Sequence, residues 1–332
     1  MARIGINPSR GKFSDFHPAR VTVVMITHIP HLDGYFKHRL DVLRLSLTSL
    51  LTHTSSPYDF LVFDNGSCTA VLDYLFSLKN NGAIKFLLLS NENIGKIGAF
   101  RVVFNAALGE VIAYTDDDIL FYPNWLEEHL RILDTFPQAG MISGVPVRNA
   151  SRYATQALTL VENQKMDGLI ITPMRRIPDA WEVDWAMSTW RDPQAHLQAM
   201  QDHTERVLIK DGVEAIGAAN HFQFVSPKQV LLQALPKEWS GRLMGEMVEL
   251  DEAIDSAGFL RLSTVGRYTR HIGNVISPEL EDEVKSLGIN YQSGQVRRLI
   301  RRRHWLGRIP GVRRVLLALY HRIFLILNDI RS

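Results

Sequence analysis

The chain has 332 residues, of which 46% are hydrophobic and 22% are charged. This composition is ordinary for a globular protein and is sufficient for one large domain or two fused halves. The single cysteine, Cys68, excludes an intrachain disulfide and agrees with a reducing cytosol. Residues 1–20 lack an apolar core and no long apolar stretch is free of charge, so we expect neither a signal peptide nor a transmembrane helix.

The net charge of +2 is distributed unevenly along the chain. Residues 295–332 contain ten arginines and one acidic residue, a net of +9, which leaves −7 for the remainder. The apolar run 315–327 has Arg322 near its centre, which favours a helix in the membrane interface over one that spans the bilayer. We therefore predict a basic amphipathic helical tail that binds an anionic membrane surface. Packing of this tail on its own domain or on a dimer partner is the alternative, and the acidic remainder of the chain disfavours nucleic acid.

In chain order, apolar strand candidates alternate with helical patterns in the first half. Strands are predicted over 20–27, 60–63, 84–89 and 110–114, with helices over 35–51, 70–78 and 99–108. This alternation predicts an α/β fold, an open and mostly parallel twisted sheet with helices on both faces.

The second half is less regular. A helix to about 136 and a strand over 141–147 are followed by a segment, 148–213, without a clear pattern. Its tryptophans at 181, 185 and 190 are compatible with a sugar-stacking surface or with core packing. A single strand is expected over 214–225, then a helix over 247–257 and a strand over 259–265.

Three polar clusters follow predicted strands and should meet at the carboxyl edge of the sheet, where such folds bind ligands. They are Asp64-Asn65, the loop 93–98 and the triplet Asp116–Asp118. Asp64 and Asn65 suit a nucleoside, although each is also common in turns. Gly95 would let a ligand approach the backbone at a helix start, and Lys96 would add positive charge for phosphate.

The aspartate triplet is the most informative motif. Adjacent carboxylates repel one another, and a divalent cation removes that cost. In an extended backbone Asp116 and Asp118 would face the same side, with Asp117 opposite. His271, which follows a strand-like run, is a candidate further ligand.

In order and spacing, these segments resemble the family 2 glycosyltransferases of the GT-A fold. The resemblance is carried by residues 23–28, 60–67, 91–101 with Asn105, and 114–119 followed by 123–126, and it extends more loosely to about residue 275. It implies an inverting hexosyltransferase that takes a sugar from a nucleotide-diphosphate donor with Mn²⁺ or Mg²⁺. It also implies that Thr27, His28, Asp64 and Asn65 line the nucleoside pocket.

The resemblance further assigns the remaining donor and metal residues. Asp116 and Asp118 match the metal-binding Asp-x-Asp motif, and His271 matches a histidine that completes the metal or diphosphate site. With Gly95, Lys96 and Asp117, these residues complete the expected nucleotide-sugar and metal set.

The predicted general base departs from the family pattern, because Met247 occupies the usual position of the aspartate. Some relatives use an acid-x-Val-acid spacing, which Glu246-Met-Val-Glu249 fits. We therefore expect Glu246 to be the base, with Glu249 and then Asp251 as alternatives. A helix N-terminus favours the ionised form of Glu246, as a base requires.

The predicted organisation is an N-terminal extension (1–19), a nucleotide-sugar half (20–120), an acceptor half (121–275) and the basic tail (276–332). The tail suggests a glycan or lipid-linked glycan acceptor, a role in polysaccharide biosynthesis, and a peripheral location on the cytoplasmic face of the cell membrane. A homo-oligomer is compatible with the sequence. A related nucleotidyltransferase is disfavoured because residues 27–31 lack a glycine-rich basic loop, and a non-catalytic membrane adaptor remains an alternative because of Met247.

The tail hypothesis predicts that the full chain floats with liposomes containing anionic lipid, and that a chain lacking residues 295–332 does not. Each arginine near an anionic leaflet contributes about 1 kcal/mol, so neutral liposomes and high salt should both weaken flotation. Equal flotation of the two chains would contradict the membrane role.

Overall fold

The computed structural model describes residues 5–164, 168–245 and 247–291. Over these residues the chain forms one ten-stranded sheet and a separate two-stranded ribbon. The strands are β1 (Val21–Thr27), β2 (Asp59–Asn65), β3 (Phe86–Ser90), β4 (Val111–Asp116), β5 (Ile119–Phe121), β6 (Ala139–Ser143), β7 (Leu169–Met174), β8 (Glu205–Lys210), β9 (Val213–Ile216), β10 (Gln223–Pro227), β11 (Leu260–Ser263) and β12 (Thr269–His271). The helices are α1 (Arg39–His53), α2 (Thr69–Asn80), α3 (Gly95–Ala106), α4 (Trp125–Thr135), α5 (Gln156–Gln164), α6 (Asp179–Ser188), α7 (Pro193–Ala199), α8 (Lys228–Ala234), α9 (Met247–Ser256) and α10 (Pro278–Ser286).

The large sheet has the order β3-β2-β1-β4-β10-β6-β11-β9-β8-β7. Its first four strands are parallel, whereas β10 runs antiparallel to β4 and to β6. In register, Thr27 lies opposite Asp64, and Ile26 opposite Asp116. The carboxyl ends of β1, β2 and β4 therefore meet at one edge, where the predicted polar clusters lie.

Helices cover both faces of the sheet. Alternate residues of β1 point to opposite faces, so Val24 packs against α3, α8 and α9, while Met25 packs against α1, α2 and α4. The predicted α/β class and open sheet with two helical layers are thus confirmed.

The expectation of a single strand over 214–225 is wrong. The chain forms β9 and β10 there, joined by a loop in which the side chain of Asn220 accepts a hydrogen bond from the N–H of Phe222 at 3.2 Å. Small residues and this Asx turn break the strand. The segment 148–213, which had no clear pattern, contains α5, α6, α7 and two strands.

Glu246 and the tail segment 292–332 lie outside the described residues. Within the described ranges, no helix combines the length and the hydropathy that crossing a bilayer requires. The ribbon of β5 and β12 pairs His271 with Ile119, so it brings His271 next to the aspartate triplet.

Candidate active site at the carboxyl edge of the sheet

Asp64 lies one residue before the end of β2, and its two carboxylate oxygens differ in their hydrogen bonds. Its Oδ2 accepts hydrogen bonds from the backbone N–H groups of Gly66 (3.2 Å) and Ser67 (3.0 Å). Its Oδ1 is buried and has no hydrogen-bond partner among the described residues. A buried acceptor without a partner is costly, so this oxygen is suited to a ligand that brings an N–H or O–H donor.

Asn65 positions the neighbouring loop. Its Oδ1 accepts from the N–H of Ile94 at 2.9 Å, and its Nδ2 donates to the side chain of Asn93 at 3.0 Å. Its backbone carbonyl accepts from Nδ1 of His28 at 2.8 Å. The Asn65 side chain is therefore committed to holding the loop before α3, and His28 is fixed over the same edge.

The start of α3 is covered by the chain itself. Gly95 has a φ of +73°, and a Cβ there would collide with the carbonyl of Arg242. The N–H of Lys96 donates to the carbonyl of Leu243 at 3.2 Å. The glycine is thus required by the close approach of residues 242–243, a reason that the sequence did not reveal.

The aspartate triplet turns instead of continuing β4. The strand ends at Asp116, and residues 117–118 form a turn into β5. The expectation that Asp116 and Asp118 face the same side, with Asp117 opposite, is therefore wrong. Asp117 and Asp118 both bind Arg39. Asp116 instead binds Lys96 and the hydroxyl of Tyr114.

Arg39, at the first position of α1, is the residue that sequence reasoning missed. Its guanidinium is buried, pairs with Asp117, donates to Oδ2 of Asp118 at 2.8 Å, and reaches the carbonyl of Gly273 at 3.4 Å. A cation at a helix N-terminus is unfavourable for the helix dipole. The helix predicted over 35–51 places residue 39 in its second turn, so the sequence did not show that Arg39 begins α1 and needs an acidic partner.

The carboxylates of the turn differ in electrostatic environment. Burial raises the pKa of Asp117 despite the nearby Arg39. Burial would also raise the pKa of Asp118, but the positive charges of His271 and Arg39 outweigh it and hold that pKa below its usual range. Thr27 adds a hydrogen bond from its hydroxyl to Oδ2 of Asp117 at 2.6 Å. Asp117 is therefore enclosed by protein, whereas Asp118 keeps one oxygen available.

His271 completes this side of the site. Its Nε2 lies 3.5 Å from Oδ2 of Asp118, its Nδ1 is 2.8 Å from the hydroxyl of Ser188, and its ring packs on Phe222 at 5.0 Å. The backbone carbonyl of Phe222 accepts from the N–H of Asp116 at 2.9 Å. His271 and the aspartate turn are thus held together by β12, α6 and the loop before β10.

A divalent cation fits Asp118 and His271 in part. Oδ1 of Asp118 is buried without a hydrogen-bond partner in the described ranges, and Nε2 of His271 lies on the same carboxylate. No group of three His, Cys, Asp or Glu side chains within those ranges is arranged to hold a metal. The pair fits Mg²⁺ or Mn²⁺ that takes its other ligands from a diphosphate and water, which is the usual way that Mg²⁺ binds with nucleotides.

Two of the predicted base candidates, Glu249 and Asp251, differ in how far their side chains are buried. Glu249 is exposed on α9, and Asp251 is fully buried. Oδ2 of Asp251 accepts from the hydroxyl of Tyr153 (2.7 Å) and pairs with His221 (2.9 Å) and Arg261 (3.0 Å). These partners engage Oδ2 of Asp251, whereas its Oδ1 is buried without a hydrogen-bond partner in the described ranges. Glu246 lies outside the described residues.

Comparisons with known proteins match parts of this chain to glycosyltransferases. Residues 35–189, slightly less than half of the chain, match the model of glycosyl transferase family 2. An uncharacterized glycosyltransferase of Nostoc sp. is 29% identical over 97 residues, which is 29% of this chain and 30% of that protein. The chain therefore matches under a third of this relative's length.

Solved structures give weaker likenesses. GalNAc-T7 with UDP, GalNAc and Mn²⁺ is 13% identical with a TM-score of 0.46, covering 77% of this chain and 44% of its own. The mannosyltransferase PcManGT from Pyrobaculum calidifontis, in complex with GDP-Man and Mn²⁺, is 22% identical with a TM-score of 0.30, covering 42% and 41%. Likenesses at this level assign no substrate and no metal to this chain.

The Arg39 cluster predicts that Arg39→Met lowers the free energy of unfolding by about 3–5 kcal/mol, because two buried carboxylates lose their cation. Without Arg39 the pKa of Asp117 rises further and that of Asp118 loses one of the charges that lower it, so the stability of the variant falls relative to the wild type as the pH rises above about 4. The deficit, measured by urea unfolding, should be larger at pH 8 than at pH 5.

Arg44→Met is the matched control in the same helix. Arg44 is partly exposed and pairs with Asp41 at 3.3 Å, so its loss should cost at most about 1 kcal/mol. Similar deficits for the two variants, or a deficit of R39M that does not depend on pH, would contradict the role given to Arg39.

Proposed function

We propose that this chain, whose residues 35–189 match the model of glycosyl transferase family 2, is a metal-dependent inverting glycosyltransferase. The observation that carries the proposal is that two carboxylate oxygens at one sheet edge, Oδ1 of Asp64 and Oδ1 of Asp118, are buried without a hydrogen-bond partner among the described residues. The first suits a nucleoside donor group and the second a divalent cation. A nucleotide-sugar donor presents both requirements in one molecule.

The donor binds across this edge. Asp64 accepts a hydrogen bond from the nucleoside, while Thr27, His28 and Asn65 keep that part of the pocket in shape. Asp118 and His271 would hold Mn²⁺ or Mg²⁺, with Asp116 as a further candidate ligand, and Lys96 beside Asp116 would supply positive charge for the diphosphate. A bound divalent ion neutralises the charge that develops on the departing diphosphate.

The transfer is a direct displacement. The acceptor hydroxyl oxygen forms a bond to the anomeric carbon, the bond from that carbon to the diphosphate oxygen breaks, and the configuration inverts. The hydroxyl proton passes to a carboxylate base, for which Glu246 is the first candidate. Exposed Glu249 is the second candidate, and Asp251, whose Oδ2 is engaged by Tyr153 and Arg261, is the third.

The acceptor is proposed to be a glycan or lipid-linked glycan at the cytoplasmic face of the membrane. This rests on the sequence of residues 295–332, where ten arginines accompany an apolar run. An enzyme held there would meet acceptors that cannot leave the bilayer, which suits polysaccharide biosynthesis.

The donor site predicts that nucleotide sugars stabilise the protein only with Mn²⁺ or Mg²⁺. Ligand at 100 times its Kd should add about 2.7 kcal/mol, seen as a higher melting temperature in a screen of UDP- and GDP-sugars. Asp118→Asn should abolish the metal-dependent part. Asp73→Asn, an exposed aspartate on α2, should match the wild type. A metal-dependent shift of wild-type size in D118N would overturn the metal assignment.

The base assignment predicts that Glu246→Gln slows release of nucleoside diphosphate from the selected donor by about 10²–10⁴-fold, because water then lacks a proton acceptor. The thermal shift with donor and Mn²⁺ should stay unchanged, since no donor contact is removed. Glu249→Gln serves as the comparison. Wild-type release by E246Q would refute the assignment, and slow release by E249Q alone would transfer the role to Glu249.

A further inference from the structure

Residues 219–222 form a loop before β10 that touches the metal side of the candidate site. The backbone carbonyl of Phe222 accepts from the N–H of Asp116 at 2.9 Å, and the Phe222 ring packs on His271 at 5.0 Å. The Asx turn fixes the loop, because the side chain of Asn220 accepts from the N–H of Phe222 at 3.2 Å. One side of this loop is therefore held by residues that we propose to bind the metal.

The other side of the loop contacts α9 through His221. Nδ1 of His221 lies 2.9 Å from Oδ2 of Asp251, which is in the second turn of α9. An ionised carboxylate only accepts hydrogen bonds, so Nδ1 carries the hydrogen and donates it. The side chain of His221 is 20% exposed, whereas that of Asp251 is fully buried. His221 thus joins α9 to the loop that touches the aspartate turn.

Arg261 of β11 supports the same connection. Its guanidinium donates to the carbonyl of Ala219 at 2.7 Å and lies 3.0 Å from Oδ2 of Asp251. The hydroxyl of Tyr153 donates to that oxygen at 2.7 Å. A buried ion pair contributes little net stability compared with apolar packing, and its best-attested use is to fix one arrangement of the elements that it joins. The Asp251 cluster, formed by Tyr153, His221, Asp251 and Arg261, is suited to that use.

A separate set of contacts holds the second half of α9. The two carboxylate oxygens of Asp255 accept from the backbone N–H groups of Gln156 and Ala157, each at 2.9 Å. These bonds tie the end of α9 to the start of α5 and do not involve the loop 219–222. The Asp251 cluster, nearer the start of the helix, is therefore placed to set where the first turn of α9 lies.

The first turn of α9 is where the base candidates lie. Glu249 is in that turn, and Glu246 directly precedes Met247, the first residue of the helix. A base must reach the acceptor hydroxyl while the donor is held at the aspartate turn, so the rate depends on the distance between the two elements. A misplacement of about 1 Å can lower a rate about a hundredfold.

We infer that His221 is a positioning residue for the transfer reaction, because its hydrogen bond to Asp251 sets the placement of α9 relative to the aspartate turn. The inference rests on the proposed function and deepens it, since it names a residue that aligns the base with the donor. It holds for Glu246 and for Glu249 alike, because both lie at the start of α9. The role requires no contact with the donor, so loss of His221 should slow the reaction and leave donor binding unchanged.

The test measures release of nucleoside diphosphate from the nucleotide sugar that most stabilises the wild type, with Mn²⁺ present and well below the melting temperature. We expect His221→Ala to lower kcat on the order of tenfold to a hundredfold, with an unchanged donor-dependent thermal shift. His221→Asn should stay near the wild-type kcat, because an asparagine amide N–H can replace Nδ1–H as the donor to Asp251. His221→Gln, whose amide lies one bond farther from the backbone, should resemble His221→Ala.

His203→Ala is the matched control. His203 is also half-buried and contacts the hydroxyl of Ser151, and it is not part of the Asp251 cluster. H203A should keep the wild-type kcat even if its melting temperature falls as far as that of H221A. Should H221A fold poorly, the comparison of H221N with H221Q gives the same test, because both variants keep a polar side chain in the loop.

Three results would overturn the positioning role. A wild-type kcat in H221A or H221Q would show that the bond to Asp251 does not align α9. A kcat in H221N as low as that of H221A would show that the imidazole itself is required, as in a base. Loss of the donor-dependent thermal shift in H221A would place His221 in the donor site instead.

Failure of the positioning role is distinguishable from failure of the proposed function. If no nucleotide sugar stabilises the wild type with Mn²⁺, or if the wild type releases no nucleoside diphosphate from any sugar that stabilises it, the glycosyltransferase proposal fails. If the wild type binds and cleaves a nucleotide sugar and H221A does so at the same rate, only the positioning role fails.

Discussion

The buried ion pairs of Arg39 with Asp117 and Asp118 are the constraint on which the site depends. They tie the first turn of α1 to the end of β4, and through the carbonyl of Gly273 they reach the segment after β12. Burying two adjacent carboxylates without a cation would cost several kcal/mol. With Arg39 in place these carboxylates have a buried cation, and one oxygen of Asp118 stays without a hydrogen-bond partner in the part of the chain that the structure describes.

The rest of the edge is organised around that turn. Thr27 reaches Asp117 from β1, the loop before β10 reaches Asp116, and β12 brings His271 to Asp118. Each element ends where it contacts one of the three aspartates. The β5–β12 ribbon is separate from the large sheet and positions His271. Through the contact of His271 with Ser188, it is also linked to α6, the helix that carries Trp185.

The polar residues at the carboxyl edge of the sheet could be predicted from the sequence, because parallel strands place their carboxyl ends at the same edge. Once β1, β2 and β4 were recognised, their carboxyl ends had to meet, so Asp64 and Asp116 could be placed together without coordinates. Contacts made by distant segments could not be predicted in this way. Arg39 to Asp118, Gly95 to Arg242 and Trp185 beside His271 each join residues far apart in the chain, and no local pattern encodes such pairs. The prediction of one strand over 214–225 was wrong for a local reason. The small residues before Asn220 are compatible with a strand, and the sequence pattern did not reveal the turn that they form.

The formal charges of the edge bear on how a donor would bind. Three aspartates face two basic side chains, Arg39 and Lys96, so the carboxylates of the turn outnumber the arginine and lysine that pair with them. A diphosphate adds further negative charge to a largely buried site, where repulsion is weakly screened. Lys96 alone cannot offset this, because turning it toward the phosphates would leave Asp116 with only the uncharged hydroxyl of Tyr114 as a partner. A divalent cation held by Asp118, as proposed above, would supply the missing positive charge. The same electrostatic requirement would then account for the aspartate triplet, for the oxygen of Asp118 that has no partner among the described residues, and for the metal dependence that we predict for donor binding.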